Sequence, residues 1–223
     1  LIFSFPKPDI SLLSGKLALN NYTKRSQKIL WVSSPDYYKL KNSKLHNNYN
    51  DKYILFIDDI IASTNDFEIF MHQNKPIEEN EYYRLLNNTF DKIEKLFNLK
   101  VIIAAHPQGK LINSYEKKFK GRKVLFNQTE NLTKFSTLVI THFSTAIGYA
   151  ILSSKPILLL TSLSISKHNY GMKIKYLSKK INVKLIYMES IDSFTNKKQL
   201  VNINLSKYKN YIYDLIRNKS CKE

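Results

Sequence analysis

Three observations predict an α/β fold built on a doubly wound, mostly parallel sheet. First, four short runs, Tyr53–Ile57, Lys100–Ala105, 137–141 and 156–161, are almost continuously apolar. Strands of that kind are buried on both faces, as in parallel sheets. Second, helix-like segments alternate with these runs from Tyr53 onward, the pattern of successive right-handed crossovers. Third, two of the runs end abruptly in polar residues: VIIAAHP over 101–107 and LVITHFSTAIGYA over 138–150. In open α/β sheets, ligands bind just beyond the carboxyl ends of strands.

Taken in order, residues 1–5 and 28–32 read as short strands, bounded by turn-rich stretches at 6–8 and 33–36. Residues 10–19 fit neither period. Residues 42–51, NSKLHNNYND, are polar and aperiodic and read as a loop or linker. The chain therefore divides into a partial N-terminal segment or linker, 1–51, and a domain over 52–223. Within the domain Tyr53–Ile57 is a strand. Glu79–Phe97 is the clearest helix, with Tyr82, Leu85, Leu86, Ile93, Leu96 and Phe97 at helical spacing. Pro76 and the acids Glu78, Glu79 and Glu81 mark its start. Strands follow at Lys100–Ala105 and 123–126, then a helix over Thr129–Phe135 capped by Thr129 or Asn127. A strand over 137–141 leads into a helix over 144–153, capped by Ser144 or Thr145. The remainder reads as strand 156–161, helix 170–181, strand 183–188 and a closing helix over 205–218.

Length and composition, 223 residues with 43% hydrophobic and 24% charged, suit a globular domain with a sizeable core. Leu1 in place of a methionine suggests a fragment, and no signal peptide is visible. No apolar run is long enough to span a bilayer. The net charge of +17 comes almost wholly from lysine, since Arg25, Arg84, Arg122 and Arg217 are the only arginines. The lysines are spread along the chain with abundant Asn, Ile and Tyr, a compositional bias more than a binding patch. No helix-turn-helix, zinc-ligand or RNP-like motif supports nucleic acid as a partner. Unspecific attraction to an anionic membrane surface fits this charge better. Cys221 is the only cysteine and Cys/His spacings do not repeat, so neither an internal disulfide nor a metal site is expected. A reducing, cytoplasmic setting fits, with peripheral contact at the inner face of the cytoplasmic membrane.

Chemistry is expected at the strand ends. His106, held at the sheet edge because Pro107 stops the strand, can donate to a phosphate oxygen and offset charge on a leaving group. The alternative is a structural histidine bonded to a loop carbonyl. Ser144 and Thr145 would add hydroxyls and free backbone N–H groups, or would serve only as caps. His142 would orient that turn, and Gly148 would let the helix pack closely on the sheet. Thr129 and Glu130 open another helix at a strand end, where a carboxylate can reach a ribose or simply complement the helix dipole. Asp58, Asp59 and Asp66 are the acid/base candidates. With five glycines the chain contains no dinucleotide or Walker loop and no Gly-x-Ser-x-Gly elbow. No cofactor is expected.

Taken together, Ala105-His106-Pro107 and His142-Phe143-Ser144-Thr145-Ala146, with Lys155-Pro156 beyond, resemble the donor-binding half of bacterial GT-B glycosyltransferases. The group is the sialyltransferase-like and Kdo-transferase-like enzymes of surface polysaccharide synthesis. Phe56 through Phe67, the helix from Glu79 and residues 119–122 are also similar, so the likeness covers roughly residues 53–161. The resemblance implies a Rossmann-like donor domain that takes a CMP-sugar and passes an acidic sugar to a glycan or glycolipid acceptor, without metal. It implies that His106 contacts the donor phosphate and assists departure of CMP, that Ser144 and Thr145 hold the same phosphate, and that Glu130 reaches the nucleoside. Such enzymes take their general base from an acidic pair next to a glycine in the other domain. Here Asp58-Asp59 is followed by Ile60, so the base is expected in sequence preceding Leu1. Two rivals share the architecture: a teichoic-acid-type polyol-phosphate transferase and a non-catalytic donor-domain remnant.

Overall fold

The computed structural model describes residues 7–20, 23–42, 44–47, 49 and 51–221, so the strand expected over residues 1–5 lies outside the described residues. The ambiguous stretch after it contains a strand, β1 (Ile10–Leu13), which pairs in parallel with β2 (Lys28–Trp31). A helix not foreseen in the sequence comes next, α1 (Pro35–Asn42). It buries no residue completely, so its sequence carries no apolar stripe, and its first residues read as a turn. Among the described residues between Asn42 and Asp51 there is no helix or strand.

The main sheet is formed by β3 (Tyr53–Ile57), β4 (Lys100–Ala105), β5 (Val124–Phe126), β6 (Leu138–Thr141), β7 (Ile157–Thr161) and β8 (Leu185–Tyr187). Its spatial order is β5-β4-β3-β6-β7-β8, and every adjacent pair is parallel. Counted from β3 this is the 3-2-1-4-5-6 order of the doubly wound fold, which opens a crevice where the winding reverses, between the carboxyl ends of β3 and β6. All residues of β3, β6 and β7 are buried, so both faces of the sheet are covered.

The covering helices are α2 (Asp66–Ile69), α3 (Glu79–Phe97), α4 (Thr129–Phe135), α5 (Ile147–Leu152), α6 (Leu163–Lys167), α7 (Asn169–Ile181) and α8 (Leu205–Tyr211). α3 has the predicted bounds and buries Tyr82, Leu85, Leu86, Phe90 and Ile93. Its N-cap Glu78 accepts from the Glu81 backbone N–H. α4 also has the predicted bounds, but neither proposed cap serves it: Gln128 stands at the N-cap without a side-chain bond, and Asn127 takes a left-handed backbone, φ 57°. α5 begins at Ile147 rather than Ser144, because residues 144–149 form tight i→i+3 bonds before the α-helical pattern is established. Gly148 makes room for the Asp36 carboxyl of α1, not for the sheet: a Cβ there would lie 3.1 Å from Asp36 Oδ2. The closing helix ends early, passing into a wide turn over Ile212–Ile216.

That turn brings the chain back to its N-terminal segment. The Ser34 N–H donates to Ile216 O, the Asn218 N–H to Ser14 O, both at 2.8 Å. Arg217 Nη1 donates to Tyr37 Oη at 2.8 Å. Gly15 is required here, since a Cβ would lie 2.3 Å from Asp214 O. These contacts fasten α1 beside α5 at the carboxyl edge of the main sheet.

Candidate functional site

A cleft of about 550 Å³ opens at that edge, over the point where the winding reverses. β3 supplies Ile57 and Asp58, β4 supplies His106 and Pro107, and the turn after β6 supplies Ser144 and Thr145. Asn127, Thr129 and Glu130 close one side from the β5–α4 junction. Asp36 and Lys39 of α1 and Tyr149 of α5 complete the wall. Seven of the ten residues expected at a site thus line one cavity; His142, Asp59 and Asp66 do not.

His106 is half-buried and caps the 3₁₀ turn Pro107–Leu111: its Nδ1 accepts from the Gln108 N–H at 3.3 Å. That bond places the ring proton on Nε2, leaving a donor for a ligand. Burial holds the imidazole below its ordinary pKa of 6.5, against the opposing pull of Asp59 and Asp66. Ser144 Oγ accepts from the Ala146 N–H at 3.3 Å, which leaves its own proton free to donate.

His142 is different. It is completely buried, with Nδ1–H donating to Leu160 O at 2.9 Å and Nε2 accepting from Tyr82 Oη at 3.1 Å. Both nitrogens are used inside the core, so the ring offers nothing to a ligand. It steadies the β6 end from beneath.

The acid pair divides its work. Asp58, 2% exposed, accepts from the Ile60 N–H through Oδ1 and from the Tyr115 hydroxyl through Oδ2. Burial pushes its carboxyl up to about 7, helped by the neighbouring Asp59 charge and opposed by the hydroxyl and N–H donors. The Tyr115 ring packs against Gly109, where a Cβ would lie 2.8 Å from it, so the Asp58–Tyr115 bond backs the turn that follows His106. Asp59 Oδ2 accepts from the Phe143 N–H at 3.2 Å and from the Tyr170 hydroxyl, fixing the β6 turn and the start of α7. The next residue, Ile60, has φ 46°, the left-handed conformation that glycine adopts without cost.

Three residues at the site carry no sequence signal. Asp36 is half-buried, its carboxyl raised by burial and partly offset by the Tyr149 hydroxyl bond. Tyr149 is raised by burial and by that same carboxylate. Tyr115 lies in a 3₁₀ turn, Tyr115–Phe119, outside every predicted element. Only tertiary contacts bring them in. Among the described residues no three His, Cys, Asp or Glu side chains are grouped to hold a metal ion, and no helix is long and apolar enough to cross a membrane. The chain matches no protein-family model and no curated protein.

Proposed function

We propose that this chain is the donor-binding unit of a glycosyltransferase that moves an acidic sugar of the sialic acid or Kdo type from a CMP-sugar to a surface glycan. One observation carries the reading: a single cleft at the winding reversal gathers His106, Ser144, Thr145, Thr129 and Glu130. An anionic donor needs hydrogen-bond donors aimed at its phosphate, and a neutral His106 with Nε2–H, with the Ser144 and Thr145 hydroxyls, supplies them.

In the transfer the bond between the anomeric carbon and the phosphate oxygen breaks, and its electron pair leaves on CMP. His106 and the two hydroxyls stabilise the departing phosphate. The acceptor oxygen bonds the anomeric carbon, and its proton passes to a carboxylate. Asp36 suits that step: it is partly accessible, burial raises its carboxyl above the ordinary value, and it lines the cleft beside Tyr149. Glu130 accepts from nucleoside hydroxyl or amino groups across the cleft.

A thermal-shift titration with CMP, CDP, UDP and GDP tests this. Cytidine nucleotides are expected to raise Tm by roughly 5 °C or more at about a hundredfold excess over Kd. His106→Ala should lose that shift while its own Tm moves little, because the side chain is half-exposed. No shift with any nucleotide would favour the non-catalytic remnant, and a selective UDP or GDP shift would overturn the cytidine assignment.

A further inference from the structure

A second surface near the carboxyl edge takes no part in the proposed transfer. After Asp58-Asp59 the chain enters α2, and at its end and in the turn beyond it three consecutive bulky side chains face solvent: Ile69 is 61% exposed, Phe70 75% and Met71 45%. Met172 and Tyr176, one turn apart on α7, are each 61% exposed. Both elements border one groove of about 490 Å³, with Phe67, Met71, Met172 and Tyr176 in its walls and Lys173 beside them. α7 carries Lys173, Lys175, Lys179 and Lys180 and no acid. Lys180 pairs with Asp214 at 3.0 Å. Lys173, Lys175 and Lys179 are exposed and form no ion pair among the described residues.

Exposed apolar side chains bordered by cations are the arrangement that suits a bilayer interface, with apolar groups in the acyl boundary and cations among anionic headgroups. We propose that α2 and α7 form a docking surface for an anionic lipid bilayer. Ile69, Phe70 and Met71 enter the headgroup–acyl boundary, and Lys173, Lys175 and Lys179 meet the headgroups. A second copy of the chain suits the surface poorly, because a two-fold contact would set these lysines against themselves in a chain of net charge +17. An apolar peptide could fill the groove but would leave Phe70 and the lysines unmatched. The acids nearby on α2, Asp66 and Glu68, are outnumbered by the lysines of α7. Tyr170 at the start of α7 is bonded to Asp59, so docking also fixes how the cleft stands relative to the lipid. The docking itself does not depend on the sugar-transfer reading.

Flotation of the full chain with phosphatidylcholine vesicles, with and without phosphatidylglycerol, tests the surface. The wild type should float only with phosphatidylglycerol. Phe70→Ser with Met172→Ser should lower partitioning by about tenfold or more. Lys173→Gln, Lys175→Gln and Lys179→Gln should each lower it by about fivefold, and the triple variant that combines them on α7 should lower it further. A control removes the same charge at the opposite sheet edge through Lys52→Gln, Lys100→Gln and Lys120→Gln, and should leave most of the binding. All these side chains are exposed, and circular dichroism checks that each variant is folded. The proposal is overturned if the wild type fails to float at low salt, or if the control triple weakens binding as much as the α7 triple. Unchanged binding in Phe70→Ser/Met172→Ser also overturns it. Sedimentation showing a dimer that this double variant dissolves would instead assign the surface to a second copy.

Discussion

The ends of β4 and β6 look alike as sequence, each an apolar run closing in a histidine, and the fold makes opposite use of them. After β4, Pro107 turns the chain away at once, and His106 stays half-buried at the cleft with one nitrogen free. After β6, the chain continues through Phe143, and His142 drops into the core with both nitrogens bonded. Between them in the sheet lies β3, and the adjacent carboxylates after it serve one neighbour each: Asp58 holds Tyr115, whose ring backs Gly109 in the turn after His106, and Asp59 holds the Phe143 backbone. A histidine at a strand end is therefore no site until its second nitrogen is accounted for.

The sharpest way to break this contrast is His142→Ala. It removes a fully buried ring and leaves the Tyr82 hydroxyl and the Leu160 carbonyl without their partner. Urea unfolding should show a loss of about 3–5 kcal/mol, against less than about 1 kcal/mol for the cap lost in His106→Ala. Equal losses would erase the distinction between the two ends.

Asp58→Asn acts through pH. The folded pKa near 7 lies above the ordinary 3.8, so the folded state holds a proton that the unfolded chain releases. This contribution is fully present below 3.8, declines as pH rises, and is gone above about 7. His106 works the other way: its lowered pKa makes folding less favourable as pH falls below 6.5. Asp58→Asn removes only the first effect. Relative to the wild type, the variant should gain on the order of 2 kcal/mol between pH 5 and pH 8 in urea unfolding. A constant difference across that range would show that Asp58 is not held protonated.

The smallest effect belongs to Gly148→Ala. Alanine favours the helix by up to about 1 kcal/mol, but its Cβ presses on Asp36 Oδ2, so net stability should change by less than about 1 kcal/mol. The readout is the cleft: the CMP-induced Tm shift should fall as Asp36 is displaced from Tyr149. An unchanged shift would remove Asp36 from the ligand's surroundings.

The sequence made some of this legible. β3, β4, β6 and β7 could be read because strands buried on both faces must be apolar throughout, and α3 because one face alone is buried. α1 could not, since it presents no buried stripe, nor could Asp36, which reaches the cleft only because residues 216–218 pin α1 there. His106 and His142 differ in the residue that comes next, a proline in one case and an aromatic side chain that packs on the core in the other. The left-handed Ile60 is invisible to residue type altogether.

The return of residues 216–218 to residues 14–37 also sets an order of events during synthesis. The main sheet can pair as soon as β8 has emerged, because its contacts lie within residues 53–187. The wall that holds Asp36 cannot be fastened until Ile216, Arg217 and Asn218 are available to grip Ser34, Tyr37 and Ser14. Contacts that span nearly two hundred residues close a long loop and form late. On the ribosome, then, the nascent chain holds a folded sheet with an open-sided cleft, and the pocket is completed only once residues 216–218 have emerged.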